Sequence, residues 1–325
     1  MDGILALAAT NLTSPIILSF ALGVAAALAR SDLSVPEAAA KALSIYLLFA
    51  IGFKGGAAVS ASGIDAQLVA TLFAGLVLSF LIPFVAFTLL RILTRLSAVD
   101  AAAVAGHYGS ISIVTFVAAS SVLASRGIGS EGYMVAVAAV MEAPAILSAL
   151  FLVARSGSAE KMDAEMWREI LLNGSIVLLI GAFAIGWITG AEGLEKISSF
   201  IVAPFDGVLC LFLLDMGLVA GRGLRDVRGV LGGGAIVFGV LMPPIGASFG
   251  LAAGLLLGLS AGGVALLMVL SASASYIAVP AAMRVALPQA NPSIYLTLSL
   301  GVTFPFNLTI GIPVYIAVAL ALTGG

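Results

Sequence analysis

A succession of long apolar stretches, parted only by short charged or Gly/Pro-rich breaks, dominates this chain and constrains its fold more than any motif. A bilayer core of about 30 Å takes roughly 20 helical residues to cross. Stretches of that order fall near residues 12–29, 38–60, 66–93, 101–125, 131–154, 170–190, 201–221, 230–258, 262–287 and 293–322. Of the 325 residues, 62% are hydrophobic and only 9% are charged, whereas a soluble domain carries about 25% charged residues. A water-soluble fold of this composition could not cover its core with polar surface, so lipid must solvate most side chains. The expected class is an all-α integral membrane protein with ten transmembrane helices. Asp2 precedes the first apolar run and no Lys or Arg does, so that run reads as a retained helix and not a cleaved signal. Cys210 is the sole cysteine. It excludes an internal disulfide and reads as inert filler.

Orientation follows from the basic residues, because Lys- and Arg-rich loops stay in the cytoplasm. With ten spans, one side receives Arg30, Lys41, Arg91, Arg95, Arg155, Lys161, Arg168, Arg222, Arg225, Arg228 and Arg284, eleven of the fourteen basic residues. Lys54, Arg126 and Lys196 fall on the other. This places the protein in the cell (inner) membrane as a multi-pass chain with both termini outside the cytoplasm. The most polar segment, residues 155–169 (RSGSAEKMDAEMWRE), reads as a cytoplasmic linker, with Trp167 at the interface. It divides the chain into units 1–154 and 170–325, each of five helices.

Five is an odd number, so a repeat of one unit in the other must be inverted across the membrane. LLFAIGFKGG at 47–56 aligns without gaps with FLLDMGLVAG at 212–221, matching Gly52 with Gly217 and Gly56 with Gly221. Ser110, Ile111 and Ser112 in the fourth span answer Ser273, Ala274 and Ser275 in the ninth. Glu142, Ala143 and Pro144 in the fifth answer Thr303, Phe304 and Pro305 in the tenth. The three matches come in the same order.

The fourth and ninth spans carry GHYGSIS (106–112) and SASASY (271–276) where an ordinary span carries Leu and Val. Small polar residues let a helix unwind, and a discontinuous helix leaves amide N–H groups and its positive dipole end facing a cavity. A pair of such breaks forms a site for a small anion, held by amides and hydroxyls around Gly109, Ser110, Ile111, Ser112 and Thr115 on one side. Ser271, Ala272, Ser273, Ala274, Ser275 and Tyr276 stand on the other. For either stretch alone, tight helix packing is the better explanation of the composition; the symmetric pair favours the site.

Glu142 and Asp215 lie mid-span, where an ionised group costs about 2.5–3.5 kcal/mol on insertion scales. They are candidate Na⁺ ligands with Ser110, Thr115, Ser275, Thr303 and Asn307, or they pair with groups such as Lys54 and only join helices. Asp206 sits nearer the outer interface. His107, the only histidine, offers proton coupling or, more simply, packing. Gly246, Gly250, Gly254 and Gly258 recur every fourth residue and predict a close helix contact. GIGSEG at 127–132 spells a dinucleotide fingerprint but follows no strand. No H-E-x-x-H, G-x-S-x-G or P-loop pattern occurs, so neither a membrane enzyme built on His107 and Glu142 nor nucleotide-driven pumping has a recognisable engine. No cofactor is expected.

NLTSP (11–15), RSDL (30–33), AIGFKGG (50–56), GHYGSIS, LCLFLLDMG (209–217) and SASASYIAVPAAMR (271–284) together resemble the sodium-dependent bicarbonate transporters of the SbtA type, from residue 11 to about 315. The resemblance implies an inverted five-plus-five repeat, core and gate domains, broken helices four and nine at the midplane, and a homotrimer. It also implies HCO₃⁻ uptake with Na⁺ as coupling ion, the anion lying between the two broken stretches. A small cytosolic PII-like regulator responsive to adenine nucleotides belongs to the same picture, although the 155–169 linker is shorter than the family's cytoplasmic loop. Alternatives from the residues alone are a Na⁺- or H⁺-coupled carrier of sulfate or a short carboxylate, and a channel.

Overall fold

The computed structural model of the chain describes residues 13–63, 65–155, 172, 174–276, 279–280, 283 and 287–324. The described residues form helices and connections, without strands. In chain order they are α1 (Pro15–Leu28), α2 (Glu37–Ser62), α3 (Ala66–Leu93), α4 (Ala98–Gly109), α5 (Ile113–Ser125), α6 (Met134–Val140), α7 (Ala143–Arg155) and α8 (Gly174–Ile201). Then follow α9 (Phe205–Val230), α10 (Gly233–Leu256), α11 (Ala261–Ala272) and α12, which runs continuously over Pro292–Thr323. Past Arg155 the predicted linker lies outside the described residues, with Lys161, Trp167 and Arg168; so does Arg284.

Eight spans among the described residues are long and apolar enough to cross a membrane, α4–α5 and α6–α7 each counting as one. This is a multi-pass membrane protein. α1 and α11 are apolar but shorter, at 14 and 12 residues, or about 21 and 18 Å at 1.5 Å per residue. Their shortness separates the eight from the ten expected. α11 stops at a break, and residues on both sides of Val279–Pro280 fall outside the description. Phe73, Ile92, Ile188 and Leu256 project from the outside of the bundle, between 66% and 87% exposed. Exposed apolar side chains of that size suit a lipid surround.

Capping starts the helices where the sequence supplies a short polar side chain. Asp65, Ser97 and Ser260 accept from the amides of Leu68, Asp100 and Gly263 at 2.7, 3.0 and 3.1 Å, beginning α3, α4 and α11. Proline then shapes the interiors, since it lacks an N–H and pushes away the carbonyl four residues back. Pro144 accounts for the interruption at Met141 and Glu142, which divides the predicted continuous span 131–154 into α6 and α7. In α12, π-helical turns at Thr297–Thr303 and Asn307–Gly311 lie just ahead of Pro305 and Pro313.

Two groups of helices result. α1 packs along α9 and α2 along α8, while α3 packs along α4 and α10 along α11. The α6–α7 span lies against α3, and α12 lies against α11 and α10. Glycine brings the backbones together: a Cβ on Gly56 would stand 1.9 Å from the Phe183 carbonyl oxygen, and one on Gly217 would stand 2.2 Å from that of Phe20. Gly246, Gly250 and Gly254 face α11 at Ser271, Leu267 and Val264 as expected. Gly258 does not; it follows the helix with φ +64°, closing its C-terminus in the left-handed region. In α8 the helix ends at Gly190 (φ 60°, ψ −151°), where the predicted span ends, and a second helical segment follows directly from this kink to Ile201.

Gly56→Val should therefore lower stability by about 1–3 kcal/mol, the cost of overpacking a close contact. Gly181→Ala, which meets nothing within 4 Å, should leave the thermal midpoint in detergent unchanged. Equal midpoints for both variants would contradict the α2–α8 contact.

Candidate functional site: two crossed helix breaks

α4 ends at Gly109 and α5 begins at Ile113; between them Ser110 and Ser112 are extended (φ −80°, ψ 170° and φ −99°, ψ 106°). α11 ends at Ala272 in the same way, with Ser273 extended at φ −86°, ψ 164°. Gly109 makes the first turn possible, because a Cβ there would strike the Pro83 ring at 2.2 Å. Both breaks carry the small polar residues that marked them in the sequence.

The two breaks touch and satisfy one another. The Ser112 amide donates to Ser273 Oγ at 2.9 Å, and the Ser275 amide donates to the His107 carbonyl at 2.7 Å. His107 Nδ1 lies 2.6 Å from the Ser275 carbonyl, and the imidazole stacks on Tyr295 at 4.5 Å between centroids. The histidine thus braces the crossing, in keeping with its packing role. Ser112 Oγ accepts from the Thr115 amide and hydroxyl at 3.2 and 2.8 Å, capping α5. That cap takes one of the first-turn donors, while those of Ile113 and Val114 have no intrahelical acceptor.

The other predicted residues divide. Glu142, at the α6–α7 interruption, accepts from Ser110 Oγ at 2.8 Å and so joins the first break. Asn307 Nδ2 donates to the Ala272 carbonyl at 2.9 Å, and its Oδ1 accepts from the Tyr315 hydroxyl at 3.1 Å. Thr303 donates to the Gly239 carbonyl at 2.8 Å and accepts from Tyr108. The Gly239 carbonyl is free for this because Pro243, four residues on, has no N–H. Ser110, Ser112, Thr115, Glu142, Ser271, Ser273, Ser275, Tyr276, Thr303 and Asn307 are all buried. Asp215 is buried too, but on α9 in the other helix group, and among the described residues no hydrogen bond or ion pair links it to the crossing. The geometry does not bring it to the rest of the set.

Three participants were not singled out from sequence. Tyr108 and Tyr315 brace Thr303 and Asn307, and Ser79 Oγ donates to the Met141 carbonyl at 2.6 Å, holding the α6–α7 interruption. Tyr108 lies inside GHYGSIS, which was a usable signal; Tyr315 and Ser79 sit in ordinary apolar runs and gave none. Three polar atoms at the crossing, His107 Nε2, Ser271 Oγ and the Tyr276 hydroxyl, are buried with no hydrogen-bond partner of ordinary geometry among the described residues. Such atoms cost about 1–3 kcal/mol each when left unpaired, and they mark where a polar guest would be welcome.

A cavity of about 550 Å³ lies between α2 and the α8–α9 turn on one side and α5, α6 and α11 on the other. Its wall includes Phe116, whose amide bonds the Ser112 carbonyl at 3.0 Å, so it reaches within one turn of the first break. Lys54, Ser120, Ser121, Glu131 and Asp206 supply its polar lining.

A profile of the Na⁺-dependent bicarbonate transporter superfamily matches residues 15–320. No curated protein matches the chain. Ser273→Ala should cost about 1–3 kcal/mol by stranding the Ser112 amide, whereas Tyr276→Phe leaves that bond in place and should lower the midpoint less. Thermal unfolding of both variants in detergent separates the two cases.

Proposed function

The chain belongs to the Na⁺-dependent bicarbonate transporter superfamily, and on that premise we propose that it takes up HCO₃⁻ with Na⁺ by alternating access, the anion binding at the crossed breaks. The observation that carries this is the pair of interrupted helices whose extended serines meet in a buried crossing. The α5 N-terminus offers unpaired amides and the positive end of its dipole, and Ser271 and Tyr276 offer hydroxyls without partners. Bicarbonate is planar, carries one negative charge and has three oxygens to accept these donors. Neutral donors hold it without a buried Lys or Arg, which favours release as well as capture.

Na⁺ is the coupling ion, a hard cation suited to oxygen ligands. Glu142, Ser110, Thr115, Ser275, Thr303 and Asn307 surround the crossing and form its proposed binding set. Asp215 is left to a separate role in the other helix group.

The ten-span, inverted five-plus-five plan, with units 1–154 and 170–325, is supported by pairing. If the second unit repeats the first, the first span corresponds to the sixth and the second to the seventh. A contact between the first and seventh then demands one between the sixth and second, and these are the α1–α9 and α8–α2 contacts. The matched glycines also act alike: Gly52 and Gly56 meet α8, and Gly217 and Gly221 meet α1. α1, α2, α8 and α9 would be the gate, and the group holding α3–α5, α10 and α11 the core that carries the site past it. The cavity beside Phe116 is the access path on one face, and the distribution of Lys and Arg makes that face the outer one of the inner membrane, with both termini on the same side. A trimer and a PII-like cytosolic regulator complete the reading by family.

Purified protein in liposomes should accumulate labelled bicarbonate in response to an inward Na⁺ gradient. Ser110→Ala and Ser273→Ala, which remove the bonds to Glu142 and to the Ser112 amide that shape the crossing, should each cut the rate by about tenfold or more, equivalent to about 1.4 kcal/mol, while both still insert in the membrane. Full uptake in both variants would remove the crossing from the site. Competition by sulfate or acetate stronger than by bicarbonate would assign the carrier to another anion.

A further inference from the structure

A second cavity, of about 580 Å³, flanks the C-terminal turns of α5 on the side away from α6. It lies between that helix, residues 14–16 at the start of α1 and the first turns of α9 as far as Cys210. Ser121, Ser125 and Asp206 line both this cavity and the one beside Phe116. Where the two meet, Ser121 Oγ donates to Asp206 Oδ1 at 2.9 Å. The bond joins α5 of one helix group to α9 of the other.

The two partners are held differently. Lys54, on α2, attracts the Asp206 carboxylate and places its ammonium 3.8 Å over the ring of the neighbouring Phe205; all three belong to the same helix group, so they travel together. Ser121 belongs to the other. A hydrogen bond fails once donor and acceptor part beyond about 3.5 Å, so a slide of one group past the other by a few ångströms breaks this one and spares the Lys54–Asp206 attraction. Asp206 is exposed and Ser121 half-buried, with open space on both sides. Water can therefore take up both groups after they separate, and the bond biases the arrangement by about two- to tenfold, the span of a typical net hydrogen bond, without locking it. We propose that the Ser121–Asp206 bond is a latch, holding the core to the gate in the conformation seen here and opening on each transport cycle. This rests on the transport reading above, since only a moving core has a contact to release.

Covalent closure of the latch tests it directly. In a Cys210→Ser background, Ser121→Cys and Asp206→Cys together should be joined by oxidation or by a short bis-methanethiosulfonate, read by peptide mass spectrometry. The joined protein in liposomes should lose Na⁺-driven bicarbonate uptake, and reduction should restore it. Uptake that persists with the link in place overturns the latch, and failure of both reagents to join the pair overturns the contact. A second readout needs no transport. Cys210, the sole cysteine, is half-buried in the second cavity, so parting Ser121 from Asp206 opens a path to it from the first. Ser121→Ala should speed alkylation of Cys210 by iodoacetamide in the purified protein by about two- to tenfold, and Ser121→Thr, which keeps the hydroxyl, should label at the wild-type rate. Equal rates in Ser121→Ala and wild type, or equal speeding in Ser121→Thr, also overturn it. If the unmodified protein shows no Na⁺-driven bicarbonate uptake, the transport reading fails, and Cys210 labelling alone then decides whether the bond holds the two helix groups together.

Discussion

Everything at the centre of this protein depends on one constraint: backbone polar groups exposed by a broken helix must find partners where lipid offers none. The chain meets it by crossing two breaks. The Ser112 amide finds Ser273 Oγ, the Ser275 amide finds the His107 carbonyl, and the Ala272 carbonyl finds Asn307. Each break supplies part of what the other lacks, so neither could persist alone at acceptable cost. What they leave over, among the described residues, is a few first-turn amides with His107 Nε2 and the Ser271 and Tyr276 hydroxyls.

Proline and glycine make that arrangement reachable. Pro83 and Pro243 lie inside α3 and α10, the helices that pack against the broken α4 and α11. Pro83 forms the surface against which Gly109 sits, and Pro243 releases the Gly239 carbonyl for Thr303. Pro144 interrupts the α6–α7 span at Glu142, bringing that carboxyl to Ser110. The same residue types that weaken a helix in water are tolerated here because neighbouring side chains satisfy the groups they free. Glycine also removes side chains so that α1 and α9, α2 and α8, and α10 and α11 run in direct backbone contact. Association within lipid depends on such packing, since burying one apolar surface against another gains little there.

Much of this was legible in the residues. Length and hydropathy gave the membrane class and most of the span positions, and the unusual Ser and Gly content of 106–112 and 271–276 located both breaks. Locality limits such reading. In α8 the helix does stop at Gly190, as the residues suggest, but that a second helical segment follows at once to Ile201 depends on packing that the glycine does not announce. Glu142 was visible as a costly intramembrane carboxyl, but whether it faced Lys54 or Ser110 depended on how distant spans pack. Asp215 looked equivalent to Glu142 for the same reason, and it lies in the other helix group. Tyr315 braces Asn307 from eight residues away within one helix, yet a tyrosine near a helix end carries no mark of that duty.

The division of polar groups between the two helix groups has a mechanistic consequence. The hydroxyls, amides and Glu142 at the crossing belong to the α3–α5, α10 and α11 group with its flanking spans, whereas Lys54 belongs to α2 in the other. A rigid movement of one group against the other would carry the crossing intact, because its hydrogen bonds run within the group, and would change its distance from Lys54.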